Sequence, residues 1–140
     1  AQSKVLRALQ EHKIQRVGSE KDLIVDVRVI AATNKNLKDE ILKNNFREDL
    51  FHRLAVIEIN VPSLNDRSSD IPLLVDHFLK LIALDNSEVP KEIKSDAVKK
   101  LQKFNWTGNV RELRNVIERL VILSENSIIS KEDVINFSGK

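Results

Sequence analysis

Residues 23–33 carry the pattern that most narrows the fold. Val25, Val27 and Val29 alternate with Asp26 and Arg28, and the alternation then gives way to the unbroken apolar run Ile30-Ala31-Ala32. Alternation marks a strand with one wetted face, and an unbroken run marks a strand covered on both. A strand that passes from one regime to the other enters a sheet flanked by helices, which makes the first part of the chain α/β in character.

The surrounding segments fit that frame. Residues 2–12 predict an amphipathic helix, with Val5, Leu6 and Leu9 at helical spacing among Lys4, Arg7 and Gln10. No capping residue with a following carboxylate precedes them, and there is no methionine in the chain, so Ala1 is expected to be a cut inside a larger domain. Ile14 to Val17 is a short extended piece, and Gly18-Ser19-Glu20-Lys21-Asp22 is a polar turn that makes a hairpin with the next strand. Residues 36–44 predict a short helix with Leu37, Ile41 and Leu42 inward. Residues 47–54 predict another, carrying Leu50 and Leu54 one turn apart. A second strand is expected over residues 55–61, stopped by Pro62.

Beyond residue 62 only helices are expected. One follows Asp70-Ile71-Pro72, with Asp as the cap, Pro in the first turn and an apolar stripe of Leu74, Phe78, Leu81 and Ile82. Ser95 is expected to cap a helix that turns Val98 and Leu101 inward. Asn109 and Glu112 have capping-box spacing ahead of Val110, Leu113, Val116, Ile117, Leu120 and Val121, and Ser130 with Asp133 announces a last short turn or helix. The predicted division is therefore 1–62 and 63–140.

Composition removes several chemistries. The absence of cysteine excludes disulfides and thiol catalysis, and the three histidines are scattered, with no visible convergence for a metal. Three glycines in all leave no room for a glycine-rich phosphate loop, and no apolar run approaches membrane-spanning length. A net charge of +2 does not by itself point to nucleic acid.

Three places could carry chemistry. Arg111 falls in the first turn of a predicted helix, where the dipole is positive and a cation is disfavoured unless an anion joins it; an ordinary surface arginine is the alternative. Thr33 and Asn34 end the long strand, where α/β sheets collect ligands, although a helix cap or turn uses the same residue types. Arg47 and Arg53 flank a short helix and point about 120° apart by helical geometry, so they could reach different parts of one partner. Pairing of Asp49 with Arg53 at i,i+4 on a solvated face is the alternative.

Taken in order, Val27-Arg28-Val29-Ile30-Ala31-Ala32-Thr33-Asn34, Phe46-Arg47-Glu48-Asp49-Leu50-Phe51-His52-Arg53-Leu54, Asp70-Ile71-Pro72-Leu73-Leu74 and Trp106-Thr107-Gly108-Asn109-Val110-Arg111-Glu112-Leu113 closely resemble the AAA+ domain of the sigma-54-dependent transcriptional activators. Lys4-Val5-Leu6-Arg7-Ala8-Leu9-Gln10 and Arg16-Val17-Gly18 match as well. The resemblance covers nearly the whole chain. It implies the C-terminal half of an AAA+ α/β sheet core (1–62) followed by a small all-helical lid domain (63–140).

It further implies that Asn34, with Thr33, is the first sensor of the γ-phosphate, and that Arg47 and Arg53 are arginine fingers acting on ATP held by a neighbouring subunit. Arg111 would be the lid sensor, with Val110 near the nucleotide. The implied parent is a cytoplasmic transcription regulator of the two-component response-regulator type. It would work as a ring, usually a hexamer, using ATP with Mg²⁺ to remodel sigma-54 RNA polymerase, with DNA met only through a separate domain and no membrane contact. The phosphate loop, the Mg²⁺-binding strand and the GAFTGA loop lie upstream in the family and the helix-turn-helix downstream, so the 140 residues alone are expected to hydrolyse no ATP and to bind no nucleotide strongly. Asn36 stands where the family usually has Asp, Thr107 where Pro is common, and Ser68 and Ser69 where charges are commoner. A competing reading is a non-enzymatic helical DNA- or protein-binding module. It rests on Lys91, Lys94, Lys99, Lys100 and Lys103, against which Glu112 and Glu118 stand on the last long helix.

Overall fold

The computed structural model describes residues 1–19 and 21–140; Glu20, inside the expected polar turn, lies outside the described residues. The chain divides into two compact units, Ala1–Asn60 and Val61–Lys140.

In the first unit α1 (Gln2–Glu11) ends at His12, whose left-handed backbone (φ 52°) sends its N–H to the Ala8 carbonyl. The chain then turns into β1 (Lys13–Gln15), which pairs antiparallel with β2 (Asp22–Ile24) in the register Lys13↔Ile24, Ile14↔Leu23, Gln15↔Asp22. The hairpin turn is closed by the Ser19 N–H on the Arg16 carbonyl, and Gly18 occupies the third position with φ 81°, a conformation that favours glycine. α2 (Leu37–Leu42) begins at Asn36, whose Oδ1 accepts from the Lys38 N–H at 3.1 Å. Asn caps as well as Asp, so the exchange noted at this position leaves the helix start intact. α3 (Glu48–Leu54) places Glu48 and Asp49 in its first turn and His52 and Arg53 in its last, complementing the helix dipole at both ends. α3 packs against α1, and each contributes one buried residue, Leu50 and Leu6.

Two expectations for this unit change. Of the strand expected over residues 23–33, only Leu23 and Ile24 are in β2; the rest, with residues 55–61, has no ladder partner among the described residues. A strand is defined by its neighbour, and these apolar runs, without a ladder partner, stay exposed. Ile30 is 85% exposed and Ile57 78%. Leu42, expected inward, is also exposed, because α2 ends at that residue.

The second unit is built on α4 (Ile71–Asn86) packed against α6 (Asn109–Leu123). Phe78 and Ile82 of the expected stripe are buried and Leu74 and Leu81 half-buried; Ile71, Val75 and Leu79 widen the apolar face, so α4 sits deeper than one stripe implied. α5 (Ser95–Leu101) and α7 (Lys131–Phe137) pack on each other and close the core around Trp106, Leu113, Ile117, Leu120 and Val134. Trp106 is 1% exposed, and its indole N–H donates to the Leu101 carbonyl at 3.0 Å. The expectation of helices alone needs one amendment: β3 (Glu92–Ile93) and β4 (Ile128–Ile129) form a two-residue parallel pair, too short to show a period in sequence.

The helix starts follow local hydrogen bonding. Ser130 and Asp133 form the expected capping box of α7, with Ser130 Oγ accepting from the Asp133 N–H and Asp133 Oδ2 from the Ser130 N–H at 2.8 Å. Ser95 is not a cap: Lys94 holds that position in extended backbone and Ser95 is the first helical residue. At α6 the cap is Gly108, not Asn109. Asn109 has φ 52°, and its Oδ1 is taken by the Leu64 N–H at 2.8 Å, so it cannot serve its own helix. Glu112 reaches back to the Gly108 N–H at 2.9 Å, and a Cβ on Gly108 would lie 2.8 Å from the Glu112 Cβ, which is why glycine fits there. The other Glu112 oxygen pairs with Lys140 Nζ. The Lys140 ammonium and the Gly108 N–H hold the Glu112 carboxyl below the usual glutamate range.

Two outcomes follow. Leu113→Ala empties a fully buried position and should reduce the unfolding free energy by about 2–5 kcal/mol in urea titrations, whereas Leu123→Ala, at a more exposed site, should change it by less than about 1 kcal/mol. The depressed Glu112 pKa contributes stability above the unfolded value of about 4.3, and this is lost as pH falls through the lower folded value. Glu112→Gln should therefore be less stable than the parent chain at pH 6, with the gap closing towards pH 3; a gap that stays constant with pH would refute the assignment.

Candidate functional site

Thr33 and Asn34, expected at a strand end, lie in the exposed segment beyond β2 and are divided in role. Thr33 Oγ1 accepts from the Lys35 N–H at 3.1 Å, closing a local turn, while the neighbouring Asn34 makes no hydrogen bond among the described residues. Thr33 is thus committed to backbone geometry, and the Asn34 amide is left with both its donor and acceptor groups available.

The two arginines of α3 are both referred to α1. Arg47 caps the helix in extended backbone, and its N–H donates to Gln2 Oε1 at 2.9 Å, while the Gln2 amide N–H donates to the Asn45 carbonyl at 2.8 Å. The Arg47 guanidinium forks onto Asp49 through Nε (3.0 Å) and Nη2 (2.7 Å), and Nη1 donates to Ser3 Oγ at 3.3 Å. This pairing raises the Arg47 pKa and lowers that of Asp49. Arg53 Nη2 donates to the Leu9 carbonyl at 3.0 Å. The pairing of Asp49 with Arg53 considered from spacing does not form, because the bidentate fork to Arg47 occupies the carboxylate.

Arg47 meets Ser3 and Arg53 meets Leu9, so α1 and α3 run in the same direction. Their guanidinium anchors are separated by about 9 Å along α1 at 1.5 Å of rise per residue. The two arginines do not converge on one point. Arg47 lines an open cleft of about 640 Å³ together with Gln2, Ser3, Asn45 and Asp49; Arg53 lies outside it.

In the second unit Val110 is half-buried against the core and Arg111 is exposed in the first turn of α6. Arg111 has no ion pair among the described residues. Its neighbour Glu112, the acidic group of that turn, is spent on Gly108 and Lys140. The arrangement leaves a cation at the positive end of a 15-residue helix with no protein anion to balance it.

No group of three or more histidine, aspartate or glutamate side chains that could hold a metal occurs among the described residues, and no helix there is long and apolar enough to cross a membrane. The sequence did not disclose the Asp49 fork or the Gln2 clamp. A carboxylate two residues after an arginine was the visible signal for the fork, but it becomes a contact only because Arg47 sits outside the helix in extended backbone.

Residues 1–60 match the model of the sigma-54 interaction domain, and residues 65–137 that of the AAA+ ATPase lid domain. The chain is 47% identical over 133 residues to the transcriptional regulatory protein ZraR of Salmonella typhimurium, covering 95% of this chain and 30% of that protein. It is 47% identical over 128 residues to the nitrogen fixation protein AnfA of Azotobacter vinelandii, covering 91% of this chain and 24% of the relative. Crystal structures of NtrX from Brucella abortus in complex with ATP and with ADP each superpose with a TM-score of 0.87 at 43% identity, over 94% of this chain and 31% of theirs. The chain thus spans about a quarter to a third of the length of these relatives. With both domain models matched in sequence and the fold shared with NtrX, the chain belongs to the sigma-54-dependent transcriptional activators, as the C-terminal part of their AAA+ ATPase domain.

Proposed function

We propose that this chain supplies phosphate-facing side chains to the ATPase cycle of a sigma-54-dependent transcription regulator, with 1–62 as part of its α/β subdomain and 63–140 as its lid. The observation that carries this reading is Arg111, an unpaired guanidinium in the first turn of α6 whose adjacent carboxylate is engaged elsewhere. Helix N-termini bind phosphate, and an arginine beside one adds a planar fork suited to its oxygens. Arg111 is the lid sensor in this reading, with Val110 near the nucleotide, and Asn34 with Thr33 the first sensor.

Arg47 and Arg53 act on ATP held by the neighbouring subunit of a ring, as in a hexamer. Both contacts are exposed, Arg53's a single carbonyl and Arg47's a solvent-screened fork, so a phosphate bearing more negative charge can replace them. Arg47 would leave Asp49 and Arg53 a single backbone carbonyl. An arginine placed on the transferring phosphoryl group stabilises transition-state charge and can raise the rate by about 10³–10⁵. Magnesium accompanies ATP in such chemistry; the described residues offer it no converging carboxylates, and no step here depends on it. The ATP cycle would remodel sigma-54 RNA polymerase in the cytoplasm, under a two-component signal of the response-regulator kind. The solved NtrX complexes with ATP and ADP support nucleotide use in such a parent.

Two measurements test the reading. In the full-length regulator, Arg111→Ala should lower ATP turnover by about 10²-fold or more, and Arg47→Ala or Arg53→Ala by about 10³-fold or more, without loss of folding. Unchanged turnover in all three would reduce these residues to surface charges. The purified 140 residues should show no magnesium-dependent ATP hydrolysis, and measurable turnover by them would overturn the division of labour proposed.

A further inference from the structure

The lysines that stood out in the sequence are not absorbed by the ATPase reading. The second unit has twelve lysines and arginines against twelve aspartates and glutamates, so it is neutral as a whole. Its charge is nevertheless distributed unevenly. Lys99, Lys100 and Lys103, from α5 and the turn after it, meet Lys131 of α7 around a recess of about 350 Å³. None of the four has an ion pair among the described residues. Among the described residues Asp96 is the one acidic group lining the recess, and its Oδ1 already accepts from the Ala97 N–H. Glu132, beside Lys131, is exposed on α7.

Helix dipoles account for only part of this cluster. Lys99 and Lys100 sit in the last turn of α5, where cations are favoured, but Lys131 opens α7, where they are not. Its position makes sense if an external anion offsets the crowding of four ammonium groups.

We infer that this recess docks the phosphate backbone of duplex DNA, an auxiliary contact beyond the ATPase role and beyond the expectation that DNA is met only through another domain. Lysines are point charges that neutralise phosphates without reading bases, whereas base readout favours the bidentate fork of arginine. Single strands would need a stacking platform, and the ring beside Lys103, Phe104, is covered by Lys100 at 5.3 Å and set edge-on to Trp106. The contact is sequence-independent and weak, with a Kd of about 10⁻⁴–10⁻⁶ M near physiological salt.

Fluorescence anisotropy of the 140-residue chain with two unrelated labelled 20-base-pair duplexes, titrated across sodium chloride concentrations, tests this. Both duplexes should bind alike, with a slope of log Kobs against log salt of about −3 to −4 for four neutralised phosphates. Changing all four lysines to glutamine should bring the slope close to zero, while Lys80→Gln, which removes an ammonium already paired with Asp76, should leave it unchanged. The inference is overturned if the fourfold variant keeps the slope, if neither duplex binds at low salt, or if a polyglutamate peptide binds the four lysines and the duplexes do not. None of these results bears on ATP turnover, so the two readings stand or fall separately.

Discussion

Three asparagines tie the start of the second unit to the loop before α6 and to the first residue of that helix, and the placement of everything after it depends on them. Asn65 Oδ1 accepts from the Trp106 N–H at 2.8 Å and its amide N–H donates to Asn105 Oδ1 at 2.8 Å, while Asn109 Oδ1 accepts from the Leu64 N–H. These bonds span 40 to 45 residues of sequence. They hold the loop so that Trp106 enters the core and α6 begins at a fixed point. Leu64 is itself fully buried, so its N–H needed a partner, and the Asn109 side chain supplies one. The direction taken by Arg111 follows from where that helix starts. A polar tie between distant segments therefore sets the position of a functional charge.

How much of this could be read in the sequence varies with the range of the interaction. Local patterns translated well: α1, α4 and α6 follow their apolar periodicity, and the Ser130–Asp133 box caps α7 as its spacing implied. The Asn109–Glu112 spacing had the same look, yet no box forms there: the cap is Gly108, which has no side chain, and Glu112 alone reaches back to its N–H. A partner 45 residues away had a stronger use for Asn109 than its own helix did. The apolar runs at 25–32 and 55–61 show the opposite limit. They announce strand character faithfully, but pairing is a property of two segments, and among the described residues neither run joins a ladder, the one Val25 N–H bond to the His12 carbonyl apart. The fold class nevertheless came through, because the order of the motifs carries it even where individual ladders do not form.

The candidate residues repeat this lesson on a smaller scale. Residue type and position marked Asn34, Arg47, Arg53 and Arg111, and the structure supplies what spacing left open, namely what each of them touches. Asn34 and Arg111 have no side-chain partner among the described residues to release before meeting a ligand. Arg47 is held by a carboxylate and a hydroxyl, and Arg53 by one carbonyl. Three arginines that look equivalent in a motif therefore start from three different states of engagement.

The parallel course of α1 and α3 has a mechanical corollary. Arg47 precedes the first residue of α3 and Arg53 stands one residue from its last. If a short rod of this kind rocks about its middle, one end rises as the other sinks. Small tilts of α3 against α1 would move the two guanidiniums in opposite senses, like the pans of a balance, so a neighbour in contact with both would register the tilt as a choice between them.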